Sequence, residues 1–126
     1  MELIENNKNV KNIKQDVFFM LLKNQRIEEA IDRFINESIE IEYNCKQRFI
    51  SKKTWVKYLE KTILNKSTEV IQFEIEETMN IEEKLKLRIF MICKKLTGRV
   101  DLTEINIHNI WKGNQINKIE YKLTNY

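Results

Sequence analysis

Apolar and polar residues alternate along four stretches in the second half of the chain, which predicts β-strands. The stretches are 68–78, 84–94, 99–111 and 115–123, and turn-like residues interrupt them at 80–83, 97–98 and 112–114. A period of two places successive side chains on opposite faces of a sheet. The pattern therefore predicts a four-stranded antiparallel meander with one strongly apolar face.

The first half of the chain is patterned mainly for helices. One helix is predicted at about 9–23, with its apolar stripe at Val10, Ile13, Val17, Met20 and Leu21 and with Lys11, Lys14 and Gln15 away from that stripe. A turn at 23–26 leads to a second helix, whose apolar face is Ile27, Ala30, Ile31, Phe34 and Ile35. Ser51 is a good N-cap for a third helix at about 52–65. Between the last two helices, Ser38–Cys45 alternates like a half-buried strand.

The first long hairpin allows a prediction of register. With residues 79–83 as the loop, Thr78 faces Lys84, Glu76 faces Lys86 and Glu74 faces Arg88. Two opposite-charge pairs then lie across the strands, each contributing roughly 0.2–1 kcal/mol. The same register gathers one apolar set on the other face: Ile71, Phe73, Ile75, Leu85, Leu87, Ile89 and Met91.

The last two strands need an irregularity to keep their apolar residues together. Ile105, Ile107 and Trp111 share one parity, and Ile119, Tyr121 and Leu123 join them only through an odd-length loop or a bulge around 112–116. The opposite face mixes charged residues with Phe90, Ile92, Val100, Leu102 and Ile110. A second copy of the chain is the simplest cover for these apolar residues, so we expect a homodimer through this face.

Composition fits a single α+β domain spanning 1–126. A hydrophobic content of 42% with 33% charged residues is typical of a globular domain, and the absence of proline argues against linkers. A net charge of +3 is too small to indicate nucleic-acid binding. No apolar run approaches a membrane span, and residues 1–15 are too polar for a signal peptide, so no membrane association and a cytoplasmic, reducing location are expected.

The cysteines give no indication of a metal site. Cys45, Cys93 and the single His108 lack metal-ligand spacing, so neither a metal nor another cofactor is expected. Both cysteines fall on the apolar parity of their strands, which predicts buried free thiols.

Two segments resemble the nuclear transport factor 2-like superfamily, particularly its SnoaL-like and ketosteroid isomerase-like branch. They are residues 24–44 (NQRIEEAIDRFINESIEIEYN) and residues 97–123 (TGRVDLTEINIHNIWKGNQINKIEYKL), within an element order that matches over nearly the whole chain. The resemblance implies a cone-shaped, curved antiparallel sheet wrapped around the N-terminal helices, a cystatin-like roll. It also implies a cavity between sheet and helices, in which many members bind or transform small hydrophobic molecules, and a dimer through the convex sheet face.

The isomerase positions of that branch are largely unmatched here. Its oxyanion-donating tyrosine falls at Phe18, which has no hydroxyl, and its acid falls near Ile105 or Asn106. Its base falls near Glu42, although parity places Glu42 opposite the apolar face. Because such chemistry needs both a base and a donor at the enolate oxygen, proton-transfer isomerisation is disfavoured.

Three residues stay open as catalytic candidates: Glu42, Asp101 and His108. SnoaL-like cyclases pair a histidine with an aspartate in the cavity, but parity puts His108 on the convex face, where an interface role fits better. A register error of one would turn His108 inward, toward Asp101 or Glu120.

The candidate ligand-binding residues are amphipathic aromatics or polar residues on the apolar face: Phe18, Tyr43, Trp55, Tyr58, Thr103, Asn109 and Trp111. At the start of the third helix, Ser51, Lys52 and Lys53 form a weaker anion-binding candidate, with two solvated lysines as the alternative.

Three functions remain open from the sequence. The first is a SnoaL-like domain that binds a small hydrophobic molecule. The second is an isomerase, cyclase or dehydratase. The third is a non-catalytic dimeric interaction module with a filled cavity. A cavity below about 300 Å³ favours the third, and a purely apolar lining favours a passive binder.

Overall fold

The computed structural model of the protein describes residues 13–62, 65 and 68–126. Its elements, in chain order, are α1 (Ile13–Lys23), α2 (Ile27–Phe34), β1 (Ile35–Tyr43), β2 (Gln47–Phe49), α3 (Lys52–Lys61), β3 (Glu69–Ile81), β4 (Lys84–Lys94), β5 (Val100–Lys112) and β6 (Gln115–Asn125). The start of the first predicted helix, 9–12, lies outside the described residues. The third helix ends at Lys61, four residues earlier than predicted.

The strands form one curved sheet in the order β2-β1-β6-β5-β4-β3. The predicted antiparallel meander is confirmed for β3–β6. Two features were not predicted: the short strand β2, and the parallel pairing of β1 with β6. The protein is therefore an α+β roll, with helices packed over one face of a mostly antiparallel sheet.

The odd-numbered residues of the meander face the helices, as predicted. Leu85, Leu87, Ile89, Ile105 and Tyr121 are all buried. Within the apolar set predicted for the hairpin, Ile71 is exposed (53%), and it lies where the register shifts between Val70 and Gln72. The sheet therefore contributes most of the core, and the helices complete it.

The predicted register of the β3–β4 hairpin is wrong, by three residues next to the loop and by two residues beyond a bulge. The hairpin loop is Glu82 and Glu83, not 79–83, and Thr78 is an extra residue in a bulge between the pairs Glu77↔Leu87 and Met79↔Lys86. Arg88 therefore faces Glu76, and Glu74 faces Phe90. The extra residue shifts the alternation of β3 by one position. The odd-numbered residues of β3 before the bulge therefore share a face with the odd-numbered residues of β4, in the observed register as in the predicted one.

The predicted irregularity between the last two strands is confirmed. The pairing shifts between Ile110↔Lys118 and Trp111↔Ile116, which leaves Asn117 as the extra residue. Trp111 and Ile116 are buried on one side of the shift and Ile119 on the other. Residues of opposite parity in β6 thus share one face.

The apolar stripe predicted for the first helix is partly wrong. Ile13 and Met20 are exposed, whereas Phe18, Leu21 and Leu22 are buried and Gln15 is fully buried among them. The helix presents the i, i+3, i+7 face of Gln15, Phe18 and Leu22 to the sheet. Phe18 contacts Phe34 of α2 and Trp111 of β5 edge to face, with ring centroids 5.8 and 5.7 Å away.

The prediction for Cys45 is also wrong. β1 ends at Tyr43, and Asn44 and Cys45 form a turn with φ of 49° and 60°. Cys45 is therefore exposed, while Cys93 is buried as predicted.

Candidate functional site

A cavity of about 90 Å³ lies between the apolar face of the sheet and the helices. Phe18 and Leu22 of α1, Trp55 of α3 and Ile105 and Ile119 of the sheet contribute to its wall. The volume is well below the about 300 Å³ of usual small-molecule pockets. Roughly three water molecules occupy the same volume in liquid water, at about 30 Å³ each.

Asn109 is the polar exception in this wall. The side chain is 1% exposed, and neither Nδ2 nor Oδ1 has a hydrogen-bond partner within the part of the chain that the structure describes. Its cross-strand neighbours, Leu85 and Ile119, offer no polar side-chain atom. A buried amide left unpaired costs about 1–3 kcal/mol, so this is the least satisfied point of the cavity wall.

The two other polar groups of the wall satisfy each other. Nε1 of Trp55 donates to the hydroxyl oxygen of Tyr121 at 3.4 Å. Burial raises the pKa of Tyr121 to about 12, so this hydroxyl stays protonated at neutral pH. It is therefore poorly suited to act as a base.

Aromatic rings continue from the cavity wall to a neighbouring groove. Tyr121 stacks on Tyr43 with ring centroids 4.9 Å apart, and Tyr58 lies 6.0 Å from Tyr43. Burial, and secondarily the neighbouring Tyr43, raises the pKa of Tyr58. Tyr43 and Tyr58 line one side of this groove.

The groove has a volume of about 610 Å³, and Met91 lines both the groove and the cavity. Tyr43, Tyr58, Asp101 and Thr103 lie along it. The groove, rather than the inner cavity, has the volume of an ordinary ligand pocket.

Asp101 is paired with two cationic side chains in the groove. Its carboxylate accepts a hydrogen bond from Nε of Arg99 at 2.8 Å and lies 3.6 Å from Nζ of Lys95. Burial, and secondarily Asp101, raises the pKa of the nearby Cys93 thiol. Thr103 donates to Oδ1 of Asn125 at 2.9 Å. These polar groups are already occupied by protein partners.

Glu42 and His108 lie together on the outer face of the sheet. They line a trough of about 620 Å³ with Lys86 and Glu120, which flank His108 in the strand register. Burial, and secondarily Lys86, lowers the pKa of His108. The predicted outward orientation of His108 is confirmed, and the sheet separates both residues from the cavity.

Trp111 is a core residue rather than part of the cavity wall. It is buried between Phe18 and Phe34, and the Lys14 ammonium lies 5.7 Å from its ring centroid. Gln15, which sequence reasoning missed, is also buried with both amide atoms unpartnered among the described residues. Its helical spacing with Phe18 and Leu22 was the available signal.

Ser51, Lys52 and Lys53, the anion-binding candidates, lie at the start of α3. Oγ of Ser51 accepts from the Thr54 amide at 3.5 Å, which confirms the N-cap. Nζ of Lys52 donates to the carbonyl oxygens of Asp32 and Ile35 and lies 3.3 Å from Glu37. Lys52 thus binds the C-terminal end of α2 instead of pointing at a free anion site, while Lys53 is exposed.

The structure therefore sorts the predicted residues into four places. Phe18, Trp55 and Asn109 line the cavity, and Tyr43, Tyr58, Asp101 and Thr103 line the groove. Glu42 and His108 lie on the outer face, and Trp111 lies in the core. Their roles in binding or catalysis stay predictions.

Two further features concern metals and membranes. In residues 13–62, 65 and 68–126, no three His, Cys, Asp or Glu side chains are grouped to hold a metal ion. Over the same residues, no helix is both long and apolar enough to cross a bilayer.

Solved structures with the same architecture identify the fold. A protein of Mesorhizobium loti, proposed to be a SnoaL-like polyketide cyclase, matches 89% of this chain and 97% of its own with 15% identity and a TM-score of 0.70. A nuclear transport factor 2-like protein of unknown function from Cytophaga hutchinsonii matches 90% and 99% with 10% identity and a TM-score of 0.71. A third, from Jannaschia sp. CCS1 and also proposed to be a SnoaL-like polyketide cyclase, matches 90% and 87% with 6% identity and a TM-score of 0.69.

The chain has the nuclear transport factor 2-like fold, in agreement with the resemblance seen in its sequence. No protein-family model matches the sequence. No curated protein matches it either. At such low identities the likeness establishes the architecture alone, because this fold carries many unrelated functions.

Proposed function

We propose that this domain binds a small, mostly apolar organic molecule in the cavity between sheet and helices, without catalysing proton transfer. The observation that carries the proposal is the cavity itself, whose wall is apolar except for Asn109 and the mutually bonded Trp55 and Tyr121. Apolar cavities in proteins stay dry and take up apolar guests.

The volume limits the guest to a compact molecule. A dry cavity of about 150 Å³ in another protein accepts benzene. Here about 90 Å³ is present, and Met91 lies at its border with the groove. Because methionine is unbranched and flexible, its movement can enlarge the space toward the groove. We therefore expect single-ring molecules to bind and fused-ring molecules to be excluded.

The positions of the ionisable residues support a passive role. Glu42 and His108 are outside the cone, and Asp101 is paired with two cations. A general base must reach the proton that it removes, within hydrogen-bond distance or through one water. No carboxylate or imidazole among the described residues lines the cavity.

Binding of benzene and toluene tests the proposal. Titration of isotope-labelled protein should shift amide resonances of cavity residues and raise the midpoint of thermal unfolding. Ile105→Phe, which places a ring in the cavity, should abolish both effects. Leu102→Phe adds the same ring to the outer face of β5 and is the matched control. Unchanged toluene binding by a folded Ile105→Phe variant, or none by the native protein, would refute the proposal.

A second candidate is an interaction module that dimerises through the outer face. The small cavity favours this alternative, as do Phe90, Ile92 and Leu102, which line a shallow depression of about 300 Å³ on that face. Charge changes sign along the strands there: Glu74 and Glu104 flank Phe90, whereas Lys84 and Lys118 flank Ile110. A second copy related by a two-fold axis perpendicular to the strands would set acidic rows against basic rows.

Light scattering after size-exclusion chromatography tests this assembly. We expect a dimer at micromolar concentration and a monomer for Leu102→Lys. Ile81→Lys is the matched control, because Ile81 is also an exposed apolar residue but lies at the hairpin end of β3. A native monomer would exclude the dimer without affecting the ligand proposal.

A further inference from the structure

The groove beside the cavity carries more positive than negative charge. Lys61, Lys95 and Arg99 lie along it, and Asp101 is the one carboxylate that lines it within the part of the chain that the structure describes. Three cations and one carboxylate give these side chains a net charge of +2. The wall of the cavity contains no charged side chain from the same residues. A cationic groove therefore adjoins an apolar cavity.

Asp101 leaves part of the donor capacity of its two cations unused. Its carboxylate accepts from Nε of Arg99 at 2.8 Å and lies 3.6 Å from Nζ of Lys95. Nε is only one of the donor nitrogens of a guanidinium, and the terminal nitrogens of Arg99 have no acceptor among the described residues. Nζ of Lys61 on α3 has neither a hydrogen bond nor an ion pair in residues 13–62, 65 and 68–126. These donors are available to a second anion.

The β4–β5 turn fixes the backbone of two of the cations. The Lys95 amide donates to the carbonyl oxygen of Arg99 at 2.9 Å, and the Gly98 amide donates to the carbonyl oxygen of Lys95 at 2.8 Å. Gly98 has a φ of 87°, which glycine adopts without strain. Both cations therefore extend from a closed, hydrogen-bonded turn.

We infer that the ligand is an amphipathic carboxylic acid, with its apolar end in the cavity and its carboxylate in the groove beside Arg99, Lys95 and Lys61. This inference rests on the proposed function, to which it adds the chemical class of the ligand and its orientation. The carboxylate of Asp101 is the precedent in the structure, because it contacts both cations of the turn at once. A carboxylate from a ligand would add charge-assisted hydrogen bonds from the terminal nitrogens of Arg99.

Solvation fixes the direction in which such a molecule binds. The side chains of Lys95 and Arg99 are 53% and 74% exposed, so a carboxylate beside them keeps part of its hydration. In the cavity the same carboxylate would lose its hydration without meeting a counter-charge, at a high cost. The apolar end therefore enters first.

The spacing of the two regions sets the length of the ligand. Met91 borders the cavity, and Lys95 follows it by four residues along β4 and the turn. Four residues of extended chain span about 13 Å, at about 3.3 Å each. An unbranched chain of comparable length, such as that of decanoate, connects the two regions and has a smaller cross-section than a ring.

Decanoate and decanol form a matched pair of probes. Both carry the same unbranched chain, but only decanoate is charged at neutral pH. The informative quantity is the ratio of their dissociation constants, measured by calorimetric titration of the native protein and of variants. Added salt should weaken the binding of decanoate and leave that of decanol unchanged, because salt screens exposed charges.

Three variants change the groove charge in both directions. Arg99→Gln and Lys61→Gln should each weaken decanoate relative to decanol by up to about fivefold, the effect of one partly exposed ion pair. Asp101→Asn removes the competing carboxylate and should strengthen decanoate relative to decanol by about threefold. A variant that merely damages the fold would weaken both probes, so the opposite sign for Asp101→Asn excludes that explanation.

Lys57→Gln is the matched control for Lys61→Gln. Lys57 lies one turn earlier on α3 and is also exposed, but it does not line the groove. Its removal changes the net charge of the protein equally and should leave the ratio at the native value. An equal fall in this variant would assign the effect to net charge and overturn the groove site.

Toluene separates this inference from the proposed function. If toluene binds but the decanoate ratio is unchanged in all three groove variants, the carboxylate site is wrong and the proposed function stands. The same conclusion follows if toluene binds and neither decanoate nor decanol does, since the ligand then does not extend into the groove. If toluene also fails to bind the native protein, the proposed function fails with it.

Discussion

Arg88 Nη1 lies 2.9 Å from Glu76 Oε1 across the β3–β4 ladder. The bulge at Thr78 creates this pairing, since without it the same guanidinium would stand opposite Glu77. Arg88 also donates from Nε to Oδ1 of Asn106 at 3.4 Å on the next strand. One arginine thus connects three strands on the outer face.

A double-mutant cycle should detect the coupling between these two charges. Glu76→Gln combined with Arg88→Gln should give a coupling free energy of about 0.2–1 kcal/mol, the range of opposite-charge cross-strand pairs. Urea unfolding of the four proteins measures it. The cycle of Glu74→Gln with Arg88→Gln is the control and should give a value near zero; a larger coupling for Glu74 would contradict the register.

Lys52 should contribute more to stability than its neighbour Lys53. Its ammonium satisfies carbonyl oxygens at the C-terminal end of α2, where the helix dipole favours a cation. Lys52→Met, which keeps the aliphatic stem, should lower the free energy of unfolding by about 1 kcal/mol. Lys53→Met should change it by less than about 0.5 kcal/mol. Equal effects would show that Lys52 is no more than a solvated charge.

Stability at high pH should report the burial of Tyr121. Burial raises its pKa from 10.0 to about 12, so the unfolded chain releases this proton first. The free energy of unfolding should therefore be unaffected by this group below pH 10 and should fall as pH rises from 10 toward about 12. In Tyr121→Phe this part of the decline should be absent. A matching decline in that variant would assign it to other groups.

Stability at mildly acidic pH should report His108. Burial and Lys86 lower its pKa below the ordinary 6.5, while Glu120 opposes the shift and Lys84 and Lys118 add to it. The unfolded chain then binds this proton more readily than the folded chain, so stability is full above pH 6.5 and falls as pH drops below it. His108→Gln should flatten the profile between about pH 5.5 and 7.5. A native profile that is already flat would contradict the shift.

The sequence predicted the sheet faces well because alternation survives local irregularities. Leu85 and Ile105 are buried under any register that keeps their parity, and the need for a bulge near Ile116 follows from parity alone. Thr78 offered no comparable signal, since residues on both sides of it are polar or mixed. The alternation therefore predicts a loop that begins too early and pairs Arg88 with Glu74 instead of Glu76.

The buried face of α1 was harder to predict than the faces of the strands, because the sequence does not define the rotation of this helix about its axis. Residues 17–22 are all apolar, so several rotations of α1 fit the pattern equally well. The sheet selected the rotation that buries Gln15, against its polarity. The cavity depends on this packing, and its small volume could not be read from residue types. Asn109, in contrast, was identified because it interrupts the apolar parity of β5.

The parallel pairing of Ile41 with Ile119 delays completion of the fold during synthesis. At translation rates of about 5–20 residues per second, β1 leaves the ribosome roughly 4–16 s before its partner strand. Local helical contacts form far faster than that, but the β1 edge stays open until the partner emerges. Nascent chains arrested between these two strands should therefore recruit chaperones that bind extended segments.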